Sequence, residues 1–229
     1  EVGSTGRTVP AVGEAAGTYN QPNGGTDYRN WVKVDRVLNG VLPDKYYWEF
    51  EAAPGGPPQF NGFHGVVSQA QLDDPNHTYD SGADPILDGS LGYRGDGNIY
   101  AGGAILTTGL PVWGAGDVVM VAFSPSSGGM WVGVNGVWNS DPVSASADAV
   151  STAAGSDFWP FLQAREPGEG GTLRSILTQL SYVVPDGFVT LGTHVEPALM
   201  VSSWDELTPA SQNPLLASGL GGERTILYS

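Results

Sequence analysis

Two apolar runs joined by short turn text narrow the possible folds of this chain more than anything else in it. Asp117-Val118-Val119-Met120-Val121-Ala122-Phe123 is apolar at consecutive positions, so a strand built from it is covered on both faces and belongs deep in a sheet. After the turn text Pro125-Ser126-Ser127-Gly128-Gly129 come Met130-Trp131-Val132-Gly133-Val134, then Asn135-Gly136, then Val137-Trp138. Asn-Gly is the dipeptide that most readily supplies the two positive φ angles of a type I′ turn, so the chain is expected to double back there as a hairpin.

The rest of the chain extends this pattern. In Lys45-Tyr46-Tyr47-Trp48-Glu49-Phe50-Glu51, period-two alternation places Tyr46, Trp48 and Phe50 on one face and Tyr47, Glu49 and Glu51 on the other. The first face is expected to be core and the second wet. A strand-like segment runs from Trp31 to Leu38 before the turn signal Asn39-Gly40, and others run over Phe63 to Gln69, Ser90 to Tyr93 and Asn98 to Tyr100. Later strands are read at Phe158 to Ala164, Ile176 to Val184 and Phe188 to Leu191. About ten short strands with turn-rich links point to a two-sheet antiparallel β-sandwich or jelly roll. Trp48, Phe50, Val119, Val121, Phe123 and Trp131 are its expected core. The helix-compatible patch is Ser202 to Leu207, with Ser203 and Glu206 at capping positions outside the strand-rich part.

Composition narrows the chemistry. The 229 residues suit one large all-β domain. With 34 Gly and 17 Pro the chain is rich in turns, while 40% apolar residues and 7 Trp mark it as globular. A formal charge of −15 repels phosphate backbones and anionic lipid, so no nucleic-acid partner is expected. With no cysteine, thiolate metal sites and thiol nucleophiles are excluded. No stretch approaches the ~18 consecutive apolar residues of a spanning helix, so no membrane insertion is expected. The start Glu1-Val2-Gly3-Ser4 carries no leader pattern and no initiator Met, which is expected of a processed or trimmed product.

Taken together, the strand texts resemble the SPRY family. Lys45-Tyr46-Tyr47-Trp48-Glu49-Phe50 is similar to its KYYWEV strand, Ser90 to Tyr93 with Asp96 to Tyr100 to its GY and DG segment, and Gly116 to Phe123 to its GDVIGVALD strand. Met130 to Val137 resembles LWFGVNGV, and Phe158-Trp159-Pro160-Phe161-Leu162 the late YFPAV strand. The likeness spans residues 29–192, leaving an extended arm over 1–28 and a tail over 193–229. It implies a concanavalin A-like sandwich with a ligand surface made by loops at one end and no family-wide catalytic residues. The closing Pro185-Asp186-Gly187-Phe188-Val189-Thr190-Leu191, followed by Val195 to Ala198, resembles the ending of SPRY-like proteins encoded by bacteriophages, where the domain sits in virion or tail proteins.

Candidate chemistry is sparse. His64, His77 and His194 are far apart in sequence and are read as structural or surface residues. Asp73, Asp74, Asp80, Asp84 and Asp88 crowd one loop, but Tyr79 and Pro85 occupy the Gly and Glu positions of an EF-hand frame, so no metal is assigned. Arg94-Gly95-Asp96 spells an adhesion tripeptide in ordinary turn text. Trp113 lies in loop text, either as a ligand anchor or folded back on the sandwich edge.

Loops Thr78 to Asp88, Tyr93 to Asp96 and Leu110 to Gly114 are expected to form the ligand-facing end, with Tyr79, Asp80, Tyr93, Arg94, Asp96 and Trp113 as binding residues. Alanine at Trp113 or Tyr79 is then expected to weaken binding without lowering the melting temperature. In the tail, Leu215, Leu216, Ile226, Leu227 and Tyr228 are expected to dock into an assembly. The functional expectation is a non-enzymatic, cofactor-free recognition module on a bacteriophage virion. Its partners would be other virion proteins and a host-surface protein or glycan, and the chain would be a homo-oligomer or present in multiple copies in an assembly. The alternatives are a cytoplasmic SPRY adaptor binding a short peptide and a lectin-like or carbohydrate-active sandwich.

Overall fold

The computed structural model describes residues 17–20, 30–33, 37–41, 44–69, 89–164 and 169–192, with the side chains of 17–20 and 30–33 excepted. All of them belong to the unit Glu1–Thr193. Tyr79 and Asp80, the Asp-rich loop, the patch Ser202 to Leu207 and the tail with Leu215, Leu216, Ile226, Leu227 and Tyr228 lie outside the described residues.

Two sheets face each other. One contains β1 (Gly17–Asn20), β13 (Gly170–Arg174), β3 (Tyr46–Ala52), β8 (Val118–Ser124), β9 (Gly129–Val134) and β10 (Val137–Trp138) in that order, with β11 (Ala149–Val150) on β9. β14 (Val189–Thr190) lies alongside the start of β3 as a parallel pair within this sheet. The other orders β2 (Asn30–Lys33), β12 (Phe158–Ala164), β4 (Phe63–Ser68), β5 (Leu91–Arg94), β6 (Asn98–Ala101) and β7 (Ala104–Thr107), all antiparallel. The all-β two-sheet sandwich is therefore as the sequence reads, with β14 the parallel exception. β1 pairs with β13 from inside the span read as an arm.

The turn chemistry holds in detail. Asn135 and Gly136 take φ of 52° and 83° between β9 and β10, the two positive angles a type I′ turn needs. Pro160 sits in a central strand, where a missing N–H ordinarily breaks a ladder. It falls between the β2 pairing, which reaches Phe161, and the bridge of Leu38 to Phe158, so the interruption is placed where that flank of β12 changes partner.

Alternation builds the core. Trp48 and Phe50 of β3, Val119, Val121 and Phe123 of β8, and Val132 of β9 meet Val66, Leu91, Ile99, Phe158 and Leu162 of the facing sheet. The six residues expected to be buried are all buried, and every residue of β8 is buried, as its two-faced apolar run requires.

The second face of β3 departs from expectation. Tyr47 and Glu49 are both fully buried rather than wet. The cause is the stretch after β13, which was read as a strand over Ile176 to Val184. It forms instead a single 3-10 turn at Leu177–Gln179 and then irregular backbone lying over the outer face. Leu180, Tyr182, Val184 and Phe188 pack there against Tyr47, Met120, Ala122 and Trp131. Glu49 fastens this strap: its carboxylate accepts the Ser181 N–H at 2.7 Å, the Tyr182 N–H at 2.9 Å and the Tyr47 hydroxyl at 2.7 Å. Arg174 lies 4.0 Å away and pairs with Glu51 at 2.5 Å. Burial, and then the bond to Glu49, hold the Tyr47 phenol well above its ordinary pKa.

Candidate functional site

Strand direction decides which loops meet. β3 ends, β4 begins, β5 ends, β6 begins and β8 begins at the same end of the sandwich. Loops 53–62, 95–97 and 108–117 converge there and are cross-braced through their backbones. Gly95 N–H donates to the Phe60 carbonyl, Trp113 N–H to that of Gly95, Leu110 N–H to that of Gly97 and Ala115 N–H to that of Pro57, each at 3.0 Å. A Cβ at Gly95 would meet the Phe60 and Trp113 backbones, so this crossing requires glycine. Asp117 secures the far side of loop 108–117, accepting Gly114 N–H at 2.8 Å and the Asn135 side-chain amide at 2.7 Å.

Beneath the loops lies aromatic packing. Trp113 is 2% exposed, with ring centroids 5.1 Å from Phe60, 6.1 Å from Phe50 and 6.1 Å from Tyr93. Of its two readings the structure takes the second: the side chain folds back into the core and offers no surface to a ligand. Tyr93 is likewise buried, and its hydroxyl donates to the Pro111 carbonyl. Burial pushes that phenol above its ordinary pKa. The placement of Tyr93 and Trp113 as loop-end contact residues is thereby corrected: the indole and phenol hold the loops up from below. A cavity of about 10 Å³, lined by Phe50, Phe60, Trp113 and Leu162 among others, lies beside them. The Trp113 Nε1–H has no acceptor among the described residues.

Arg94 and Asp96 do reach the surface, but they bind each other. Arg94 Nε lies 3.4 Å from Asp96 Oδ2, and its two terminal nitrogens donate to the Tyr100 hydroxyl at 3.1 Å and the Asn61 side-chain oxygen at 3.0 Å. Asp96 accepts the Tyr100 hydroxyl and the Asn98 N–H, both at 3.1 Å. An adhesion tripeptide must present its guanidinium and carboxylate to a partner; here the two neutralise one another over a buried glycine. The sequence reading of Arg94-Gly95-Asp96 as turn text therefore stands.

The exposed residues of these loops include some that sequence reasoning did not single out, among them Pro58 and Gln59, and Val112 at 60% exposure. Glu169 was missed as well. It is fully buried, and one carboxylate oxygen accepts the N–H groups of Asn61 and Gly62, clamping the second half of loop 53–62. Its Glu-Pro-Gly-Glu-Gly surroundings give no periodic signal that would have exposed this role.

The third loop of the expected site is rooted elsewhere. Residues 70–88 connect β4 to β5, and the flanking Gln69 and Gly89 sit at the opposite strand ends from Phe63 and Arg94. His64 belongs to the core. It accepts the Trp48 indole N–H at 3.1 Å and stacks on Phe50 at 5.2 Å, and burial lowers its pKa to about 3.

The crystal structure of the SPRY domain of human HERC1 is similar to this chain at 16% identity, covering 63% of this chain and 79% of that one, with a TM-score of 0.45. No protein-family model matches the chain, and no curated protein matches it.

Proposed function

We propose that this chain is a non-catalytic recognition module that contacts a protein or glycan through the loop end built by residues 53–62, 95–97 and 108–117. The observation that carries this reading is the bracing of those loops: four backbone hydrogen bonds and a buried Tyr93–Trp113 pair hold them in one arrangement. Loops held rigid on a sandwich bind without losing conformational entropy, which is how such scaffolds concentrate recognition. The outward residues Pro58, Gln59 and Val112 are uncharged, and Arg94 and Asp96 cancel. This favours a partner recognised by shape and apolar contact over a strongly charged one. The SPRY-like strand texts support the same assignment.

The setting we propose is a bacteriophage virion, supported by the likeness of Pro185 to Leu191 and Val195 to Ala198 to phage-encoded SPRY-like proteins. In it the tail, through Leu215, Leu216, Ile226, Leu227 and Tyr228, attaches the module to the assembly. Mass spectrometry of purified particles tests this: the chain is expected in stoichiometric amount, and lost on deletion of residues 213–229. Finding it only as a free cytosolic protein would overturn the virion setting and favour the peptide-binding adaptor.

A further inference from the structure

Asn-Gly pairs occur in the chain at 23–24, 39–40, 61–62 and 135–136, and the last three lie among the described residues. A following glycine leaves an asparagine unusually reactive, because it has no Cβ to shield its backbone nitrogen from the neighbouring carboxamide. The fold treats the three pairs differently. The Asn135 carboxamide is pinned across the hairpin: its oxygen accepts the Val118 N–H at 2.9 Å and its nitrogen donates to Asp117 at 2.7 Å. The Asn61 side-chain oxygen accepts Arg94 at 3.0 Å, while Gly62 is buried and its N–H donates to Glu169 at 3.2 Å. Both of these glycines are also demanded by the backbone, Gly136 by its φ of 83° and Gly62 because a Cβ would strike the Gln163 carbonyl. Asn39-Gly40 carries none of these restraints. The pair follows Leu38, whose N–H and carbonyl are both bonded to Phe158, at 2.7 and 2.9 Å. No hydrogen bond among the described residues engages the Asn39 side chain or the Gly40 nitrogen, and Gly40 and Val41 are exposed.

We infer that Asn39 is a site of spontaneous covalent modification, deamidating through the backbone nitrogen of Gly40 in the folded protein while Asn61 and Asn135 are protected. The Gly40 nitrogen attacks Asn39 Cγ: an N–Cγ bond forms, the Cγ–Nδ2 bond breaks, and ammonia leaves carrying the proton of the Gly40 amide. Water then opens the five-membered imide at one of its two carbonyls, leaving aspartate or isoaspartate. Water is the only co-reactant. Ring closure requires the carboxamide to swing over the next backbone nitrogen. At Asn135 that movement breaks two hydrogen bonds, one of them to a carboxylate, and at Asn61 it breaks the bond from Arg94 while Gly62 must also leave Glu169. Opening bonds of this strength first slows the reaction by at least about thirtyfold relative to Asn39. Either product adds a negative charge to a chain already at −15, and isoaspartate also lengthens the backbone by one methylene.

Ageing the full chain in neutral to mildly alkaline buffer, with peptide mapping by mass spectrometry over time, tests the inference. The peptide containing Asn39 is expected to gain the mass of an amide-to-acid exchange at least about thirtyfold faster than those containing Asn61 and Asn135, with isoaspartate in excess. In urea, where the protecting bonds are gone, the three rates are expected to converge to within several-fold. Gly40→Ala puts a Cβ beside the attacking nitrogen. Gly40 is not at positive φ, and the added Cβ would meet Ser126 at 3.4 Å, an ordinary contact. The variant is therefore expected to keep the wild-type Tm while reacting several-fold more slowly at Asn39. An Asn39 that stays intact in the folded chain while reacting in urea overturns the inference. So does modification of Asn61 or Asn135 as fast as that of Asn39, a rate difference that persists in urea, or a Gly40→Ala chain that reacts at Asn39 as fast as wild type.

Discussion

Trp113→Ala separates a supporting role from a contact role. The indole is buried and touches Phe50, Phe60 and Tyr93 with centroids between 5.1 and 6.1 Å. Truncating a buried Trp of this kind costs about 3–5 kcal/mol, from lost burial together with the cavity left behind. For a domain of this size each kcal/mol moves Tm by about 2–4 °C, so a fall of roughly 6–20 °C is expected. Trp113→Phe keeps an aromatic ring in place, and because the indole N–H has no acceptor among the described residues no hydrogen bond to them is lost. It is expected to cost less than half as much, about 1–2 kcal/mol. Urea unfolding followed by far-UV circular dichroism, with the m-value checked for constancy, measures both. A Trp113→Ala protein within about 0.5 kcal/mol of wild type, the range of ordinary surface substitutions, would refute the buried placement and return the side chain to the loop surface.

Two further outcomes follow from buried polar groups. His64 has its pKa lowered from the ordinary 6.5 to about 3 by burial, so it is neutral in the fold. Below pH 6.5 the unfolded chain binds a proton that the folded one refuses, and stability falls toward acid by up to about 1.4 kcal/mol per pH unit until pH approaches 3. Between pH 6 and 4.5 the wild type is expected to lose stability more steeply than His64→Phe, and an NMR titration of His64 with a midpoint near 6.5 would contradict this. Glu49→Gln sets an amide against backbone donors of the strap and is expected to cost about 1.5–3 kcal/mol. It should also speed hydrogen exchange at Ser181 and Tyr182 while leaving β8 and β9 amides protected. Unchanged exchange at those two amides would mean that the carboxylate does not hold the strap.

Much of the fold was legible because its signals are local. The consecutive apolar residues of β8 gave a two-faced strand, and Asn135-Gly136 gave a turn whose φ angles the structure reproduces. Alternation in β3 identified the inter-sheet face correctly, yet the same rule misassigned Tyr47 and Glu49. Whether a second face is wet depends on what lies over it, and the cover here is irregular chain from over a hundred residues away. Apolar residues spaced along Leu180 to Phe188 looked like a strand because they too face a sheet, although they pair with none along Ile176 to Val184. At the loop end, residue type pointed to Tyr93 and Trp113 because aromatics in loops often contact ligands. Burial depends on how neighbouring loops cross, and the crossing at Gly95 is set by contacts with Phe60 and Trp113 that are distant in sequence. Glu169 was unreadable for the same reason: its partners Asn61 and Gly62 lie more than a hundred residues before it.

The loop end as a recognition surface is tested most directly by binding of the fluorescently labelled chain to intact cells of the host that the proposed particles infect. Val112→Asp places a charge on the exposed crest of loop 108–117, where Val112 is 60% exposed and its loss disturbs no core packing. Val41→Asp makes the same change at a residue 71% exposed beside Gly40, where an added Cβ would lie 3.4 Å from the Cβ of Ser126, at the opposite end of the sandwich. Wild type and Val41→Asp are expected to bind saturably and alike, and Val112→Asp to bind at least tenfold more weakly with an unchanged Tm. Equal binding by Val112→Asp, or loss of binding confined to Val41→Asp, would contradict the assignment of recognition to this end.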